Sequence, residues 1–275
     1  MTDPAAAVVD RWEGNSVQHW RREWRVPHLV ILSETTSTND VLRRLADAGA
    51  ARGTIVISES QTAGRGQAGR TWASPPGKSL LFSILVRNDT GRDGAPDPST
   101  TPIRVGLALC TAITRVGGLA VQIKWPNDIV HDGKKIAGIL CEGASGSTGA
   151  FVVAGIGINT HQIEGDWPLD LRAPATSLLL ATGRKVSRAA LVGAIAESLR
   201  PFRLEGALGP SVLTEFRDQD ALFGKRITLD DGSTGTACGI DAHGALLVQS
   251  SLGIHTIRAG SVSLSPTQDL PTGQP

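Results

Sequence analysis

Residues Gln61-Thr-Ala-Gly-Arg-Gly-Gln-Ala-Gly-Arg-Thr-Trp72 set glycines and two arginines directly after an apolar strand pattern, Thr54-Ile-Val-Ile-Ser58. Such a loop offers backbone amides and guanidinium groups to something anionic. Gly64-Arg-Gly66-Gln-Ala-Gly69 fits the GxGxxG dinucleotide fingerprint. Gly64 to Thr71 also misses the phosphate loop GxxxxGK[ST] by one residue, Arg70 in place of lysine. Both motifs work only where the last glycine opens a helix whose N-terminus meets the phosphate. Here Arg70-Thr-Trp-Ala-Ser-Pro75-Pro76-Gly77 follows, and tandem prolines with a glycine do not begin a long helix. The chain runs on through Lys78-Ser79 into a second strand pattern, Leu80–Val86. Strand, basic loop and strand read as a flexible cover over an anionic ligand; a solvated Gly/Arg surface loop is the alternative.

Three further groupings carry chemistry. Lys124-Trp-Pro-Asn127-Asp128 places a lysine, an amide and a carboxylate where Pro126 ends a strand, as functional groups or as a turn whose Asn and Asp cap backbone amides. Lys135 opens an apolar strand, so its ammonium is either solvated in a hairpin or held near the sheet surface. Gly155-Ile-Gly157-Ile-Asn159 permits close approach of a ligand, or tight packing of another backbone. No zinc-type His/Cys spacing occurs, and none of the six histidines sits in a recognisable catalytic pair.

The elements that must position these groups suit one large and one small domain, since 275 residues at 40% hydrophobic content bury a sizeable core. Net charge is +1, with 27 basic against 26 acidic residues, so no global field favours nucleic acid and the basic groups act locally. Cys110, Cys141 and Cys238 lie far apart, which suggests reduced thiols in a cytoplasmic protein. The N-terminus lacks a signal-peptide pattern, and no apolar run spans a bilayer.

Residues 1–27 read as a lead-in segment, too short for a winged helix-turn-helix. Residues 28–220 read as the main domain. It carries a strand over 28–32 and a helix over 41–48, with capping residues before it and Gly49 as its stop. A polar excursion over 88–101 and a helix from 103 to about 116 follow. Next come a strand over 121–125, a hairpin turning at Asp132-Gly133 and a strand over 150–159. A helix over 187 to about 202 completes the domain. Hairpins punctuated by single helices predict an α+β fold with a mixed, largely antiparallel sheet. Short strands over 224–229, 233–240, 245–249 and 254–257 predict a small SH3-like β-barrel over 221–265, with a disordered tail over 266–275.

The ordered set is more specific than its members. Ser37-Thr38-Asn39, QTAGRG at 61–66, Trp72, KWPND at 124–128, KIAGIL at 135–140 and GIGIN at 155–159 occur in one chain. In this the sequence resembles the bacterial biotin–protein ligases from about residue 28 to 265, in the monofunctional type without a DNA-binding domain. The resemblance implies a class II synthetase-like catalytic domain. It also implies ATP-dependent biotinylation of a lysine on a biotin carboxyl carrier domain through biotinyl-5′-AMP, with ATP and Mg²⁺, and without nucleic acid or membrane partners. By resemblance, Ser37, Thr38 and Gln61 bind the ureido head of biotin, with Asn39 and Gly138 also on the substrate side. Gly64, Arg65 and Gly66 lie over biotin and the phosphate. Lys135 is the central catalytic cation and Arg65 the second. Asn127 and Asn159 read the adenine edge, Trp72 forms a packing wall, and Asp128 acts through Mg²⁺ or orients a neighbour. Gln67 and Arg70 fall on the nucleotide side.

One departure stands out. Family members often show GRGRxGR, with arginine where this chain has Gln67, so that share of phosphate binding passes to Arg70, Lys78 or Lys134. Competing readings are a lipoate or octanoyl transferase, a biotin-sensing repressor and an inactive scaffold. KWPND with GIGIN, the short lead-in, and the presence of Lys135 and Arg65 weigh against them in turn.

Overall fold

The computed structural model describes residues 7–87, 96–146, 149–168, 171, 173–200 and 206–265. Its N-terminal part holds β1 (Arg11–Trp12), β2 (Asn15–Ser16), α1 (Val17–Glu23), β3 (Leu29–Leu32), α2 (Thr38–Asp47), β4 (Ile55–Ser58) and β5 (Ser79–Arg87). The middle holds α3 (Thr101–Gly117), β6 (Gln122–Lys124), β7 (Asp128–His131), β8 (Lys134–Gly146), β9 (Gly149–Asn159), α4 (Leu178–Thr182), α5 (Arg188–Leu199) and α6 (Pro210–Gln219). β10 (Arg226–Leu229), β11 (Thr234–Ile240), β12 (Leu246–Ser250), β13 (Gly253–Ile257) and β14 (Val262–Leu264) close the chain.

Seven strands form the main sheet in the order β3-β4-β5-β9-β8-β7-β6. Only β3 and β4, joined across α2, are parallel; the other neighbours are antiparallel. This is the mixed, largely antiparallel α+β sheet that the hairpin pattern predicts. Every residue of β5 is buried, which explains why Leu-Leu-Phe-Ser-Ile-Leu-Val reads as a continuous apolar run. On one face α3 and α5 bury Leu107, Ile113, Leu191 and Ile195 against Phe82, Ile156 and Ile158. On the other, α2 buries Leu42 and Ala46 against Leu32, Val56, Leu85 and Val153.

The helix expected from Val41 starts at Thr38, with Ser37 at its N-cap. That shift stacks the Ser37-Thr38-Asn39 side chains on the first turn, over the sheet. Thr101 opens α3 with Pro102 in its first turn, where a missing amide hydrogen costs nothing. The first part of the predicted excursion (88–95), the end of the predicted 187–202 helix and the 266–275 tail lie outside the described residues.

Within the lead-in segment, residues 11–24 are a packed hairpin and helix. Trp12, Trp20 and Trp24 form an aromatic cluster, with Trp20 and Trp24 stacked at 5.4 Å. Trp12 donates its indole hydrogen to Glu59, and Arg188 reaches both Glu13 at 2.7 Å and Glu59 at 2.9 Å. A methyl at Gly193 would sit 2.8 Å from the Trp24 ring, so α5 approaches this cluster closely through a glycine.

The last five strands pair antiparallel in the order β13-β12-β11-β10-β14. A ladder closing them into the expected barrel is not among the described pairings. The segment leading into this sheet is tied to the main one at β6, where the Ala221 amide donates to the Ile123 carbonyl at 2.9 Å. Among the described residues no helix is long and apolar enough to cross a membrane.

Candidate active site

β8 and β9 pair Gly138 with Gly157 in register, leaving a patch of sheet without side chains. Trp72 fills that patch. A methyl on Gly157 would sit 2.5 Å from its Cε2, and one on Gly138 would sit 3.0 Å from its Cζ3 and 3.1 Å from Lys135 Nζ. Gly155 is likewise bare where Asn39 Oδ1 approaches. The glycine spacing therefore serves side-chain approach from above the sheet.

Beside this floor lies a cavity of about 120 Å³, lined among others by Ser37, Thr38, Asn39, Gln61, Arg65, Gly66, Trp72, Asp128, Lys135 and Gly138. It adjoins a cleft of about 1440 Å³ that the 62–71 loop shares with Asp230, His243–Ala245 and Arg258–Val262 of the C-terminal sheet. Arg65, Gly66, Gln67, Arg70, Asn127 and Asp128 line both.

Two cations stand at the rim. Lys135 Nζ lies 2.6 Å from Asp128 Oδ1 and 5.5 Å from the Trp72 ring centroid. Its backbone is fixed by donation to Pro174 at 2.8 Å and by acceptance from Thr176 at 2.9 Å, so the side chain projects from a pinned strand end. Arg65 grips Asp40 with two hydrogen bonds of 2.7 and 2.8 Å and reaches Glu142 at 3.1 Å. The Arg65 hydrogen bond holds the Asp40 carboxyl below the usual carboxylate range, and Asp40 in turn raises Arg65. The loop folds back on itself: Gly66 donates to Arg70 at 2.7 Å and Trp72 to Gly64 at 2.9 Å. Only glycine fits at 64, because a methyl there would meet the Trp72 carbonyl at 2.5 Å.

At the opposite end, Gln61 Oε1 accepts from the Thr38 amide at 2.8 Å and from its hydroxyl at 3.1 Å. Asn127 donates to the Ile139 carbonyl at 2.6 Å while still lining both spaces. Asn159 is brought to neither. It is buried, its amide nitrogen donates to the Thr176 carbonyl at 3.1 Å and its oxygen accepts from the Gln162 side chain at 3.1 Å, so its polar atoms are spent behind Lys135. Among the three cations named as substitutes at the Gln67 position, Arg70 lines the cleft, whereas Lys78 pairs with Asp166 at 3.3 Å.

Several participants escaped the sequence reading. Asp40 and Glu142 bind Arg65, and buried Ser83 sits under Thr38 and Asn39. Each looks like an ordinary cap, surface charge or strand serine until the sheet is assembled. Trp125, inside KWPND, is buried and donates to the Gly244 carbonyl at 2.9 Å, fastening the C-terminal sheet.

A glycine floor under Trp72, a group of hydrogen-bonding side chains at one end and two ion-paired cations at the rim are the features of an enzyme pocket. Known proteins agree with that class. Residues 32–159 match the biotin/lipoate A/B protein ligase family, and residues 222–265 match the biotin protein ligase C terminal domain. The bifunctional ligase/repressor BirA of Bacillus subtilis is 33% identical over 243 residues, 86% of this chain and 74% of that protein. A biotin–[acetyl-CoA-carboxylase] ligase of Paracoccus denitrificans is 31% identical, over 84% of this chain and 98% of the relative. The structure of the biotin protein ligase from Aquifex aeolicus in complex with biotin and ATP superposes with a TM-score of 0.68 at 26% identity, covering 87% of this chain and 99% of that one. The chain belongs to the biotin protein ligase family.

Proposed function

We propose that this chain is an ATP-dependent biotin–protein ligase acting on a biotin carboxyl carrier domain. The biotin carboxylate attacks the α-phosphate of ATP, giving biotinyl-5′-AMP and pyrophosphate; the carrier lysine amine then attacks the acyl carbon and expels AMP. The observation that carries this reading is the Lys135 ammonium at the rim of a glycine-floored cavity, between Asp128 and Trp72, with Arg65 on the same rim.

Lys135 neutralises the carboxylate as it nears the phosphate and then the charge that develops on the phosphorus oxygens. Arg65 supplies the second positive charge once it leaves its carboxylates. Ser37, Thr38 and Gln61 take the ureido head, beside Asn39 and Gly138. Gly64 and Gly66 let the loop backbone approach, and Trp72 walls the ligand. Asn127, Gln67 and Arg70 serve the nucleotide side. Asn159 contributes by fixing the backbone behind Lys135 in place of reading adenine directly. Catalysis by positioning and charge stabilisation needs no nucleophilic side chain.

Mg²⁺ fits as an ion carried on the ATP phosphates. Among the described residues no three His, Cys, Asp or Glu cluster to cage a metal, and Asp128 is the acidic side chain lining both spaces. One or two carboxylates plus substrate phosphates are this ion's usual protein share. Asp128 would hold it, and when bound it would withdraw charge from the phosphates. Free, widely separated cysteines and a cytosolic nucleotide agree with a cytoplasmic enzyme. Incubation with biotin, Mg-ATP and a carrier domain, followed by intact mass, tests the proposal: a single biotinyl increment is expected, and no increment at saturation refutes it.

A further inference from the structure

Behind the cavity a chain of polar side chains runs from Gln61 to Arg65. Gln61 Oε1 faces the Thr38 hydroxyl at 3.1 Å, that hydroxyl faces Ser83 Oγ at 2.7 Å, and Ser83 Oγ faces Asn39 Oδ1 at 2.6 Å. The Asn39 amide nitrogen donates to Glu142 at 2.5 Å, and Glu142 meets Arg65 at 3.1 Å. Thr38, Asn39 and Ser83 are all buried, so bulk water does not complete their bonds.

The hydrogens in this chain do not suffice for its contacts. Amide oxygens only accept, and each hydroxyl carries one hydrogen. The three contacts from Gln61 to Asn39 therefore share two hydrogens. Thr38 spends its hydroxyl hydrogen on Gln61 Oε1, so the shortage falls on Ser83, whose single hydrogen faces both Thr38 Oγ1 at 2.7 Å and Asn39 Oδ1 at 2.6 Å. A head group bound at Thr38 changes that hydroxyl's claim on the Ser83 hydrogen. Whenever the hydrogen turns to Thr38, Asn39 Oδ1 is a buried acceptor without this donor, which is a costly state.

We propose that Ser83 and Asn39 are positioning residues: they couple a hydrogen-bonding head group at Thr38 to the Glu142 carboxylate, and through it to Arg65, which Glu142 holds together with Asp40. Glu142 also meets Arg43 at 3.5 Å, so its carboxylate joins two guanidinium groups to this chain. Glu142 does not line the small cavity, so its influence on head-group binding runs through this chain or through Arg65. The identity of the ligand rests on the ligase reading above; the coupling rests on the hydrogen count.

A double-mutant cycle in the full chain separates the two. Ser83→Ala and Glu142→Gln are made singly and together, and biotin affinity is measured by calorimetry alongside kcat and KM for adenylate formation. The relay requires the double variant to depart from the product of the single effects by threefold or more; a smaller departure overturns it. A merely structural Ser83 lowers the melting temperature and leaves the cycle multiplicative. Should Ser83→Ala fail to fold, Ser83→Cys, a weak donor of similar size, completes the same cycle. Absence of biotin binding by the unaltered protein overturns the ligase reading, whereas a multiplicative cycle in a protein that binds biotin overturns the relay alone.

Discussion

Gly157→Ala tests whether the bare floor is reserved for the Trp72 indole. The added methyl would lie 2.5 Å from Cε2, 2.7 Å from Cζ2 and 3.0 Å from Cδ2 of that ring, so one partner must move. β9 is paired on both sides, to Leu81 and to Gly138, and does not yield cheaply. Trp72 is half-buried on a loop and yields first. Overpacking a rigid site costs about 1–3 kcal/mol, against about 0.5–1 kcal/mol gained by replacing a strand glycine with alanine. If the indole is expelled the overpacking term vanishes, and melting should stay within about 3 °C of the parent. Ligand binding should suffer instead, because losing a large apolar wall removes about 1.5–3 kcal/mol, or roughly 10- to 150-fold in affinity. Calorimetric titration with biotin reads this directly. In a Trp72→Ala background the same Gly157→Ala change should have no further effect on affinity. Parental affinity in the single variant, or full additivity in the double, would refute the assignment of the floor to Trp72.

Three further outcomes are expected. Lys135→Ala should lower adenylate formation by about 10²–10³-fold in single-turnover pyrophosphate release, by analogy with loss of a preorganised charge donor; biotin should still bind, and an undiminished rate would exclude the role. Gln67→Arg adds a cation to both spaces and should slow release of biotinyl-AMP from the enzyme, so an unchanged release rate counts against the phosphate reading of this position. Asp220, behind α6, accepts from the Leu222 amide at 2.8 Å, while burial pushes its carboxyl up to about 6. Because the unfolded value is about 3.9, the folded state retains a proton that the unfolded chain has released, and stability falls as pH rises from about 4 to about 6. Asp220→Asn should therefore raise the melting temperature at pH 8, with a ceiling of about 3 kcal/mol, and the advantage should close near pH 4; an equal advantage at both pH values would sink this account.

The main sheet was legible because its strands are either continuous apolar runs or hairpins with a marked turn, and both patterns are local. Parts of the cavity lining were legible as motifs: the loop carries arginines and glycines, KWPND an amide and a carboxylate, and GIGIN glycines that permit close approach. What remained hidden depends on distant partners. The hairpin and helix over 11–24 are too short for periodicity, and Trp12 finds Glu59 and Trp24 finds Gly193 only in the folded chain. α6 escaped because its apolar face is short: Val212, Leu213 and Phe216 pack on the core, and only Phe216 is fully buried. Asn159 shows the other direction: its type suits a base edge, and the fold gives its amide Thr176 and Gln162 as partners, which the sequence does not reveal. Ser83 reads as a polar interruption of a strand and becomes informative only once Thr38 and Asn39 are above it.

The turn between β6 and β7 belongs to two structures at once. Ile123 and Trp125 fasten it to Ala221 and Gly244 of the C-terminal region, and three residues beyond Trp125 Asp128 touches Lys135. The far sheet and the charge pair at the reacting end are thus joined through one short stretch of chain. Laboratory evolution that randomises only the 241–245 turn should recover enzymes with altered turnover. A carrier protein that gripped that sheet would have a mechanical handle on the step that follows its arrival.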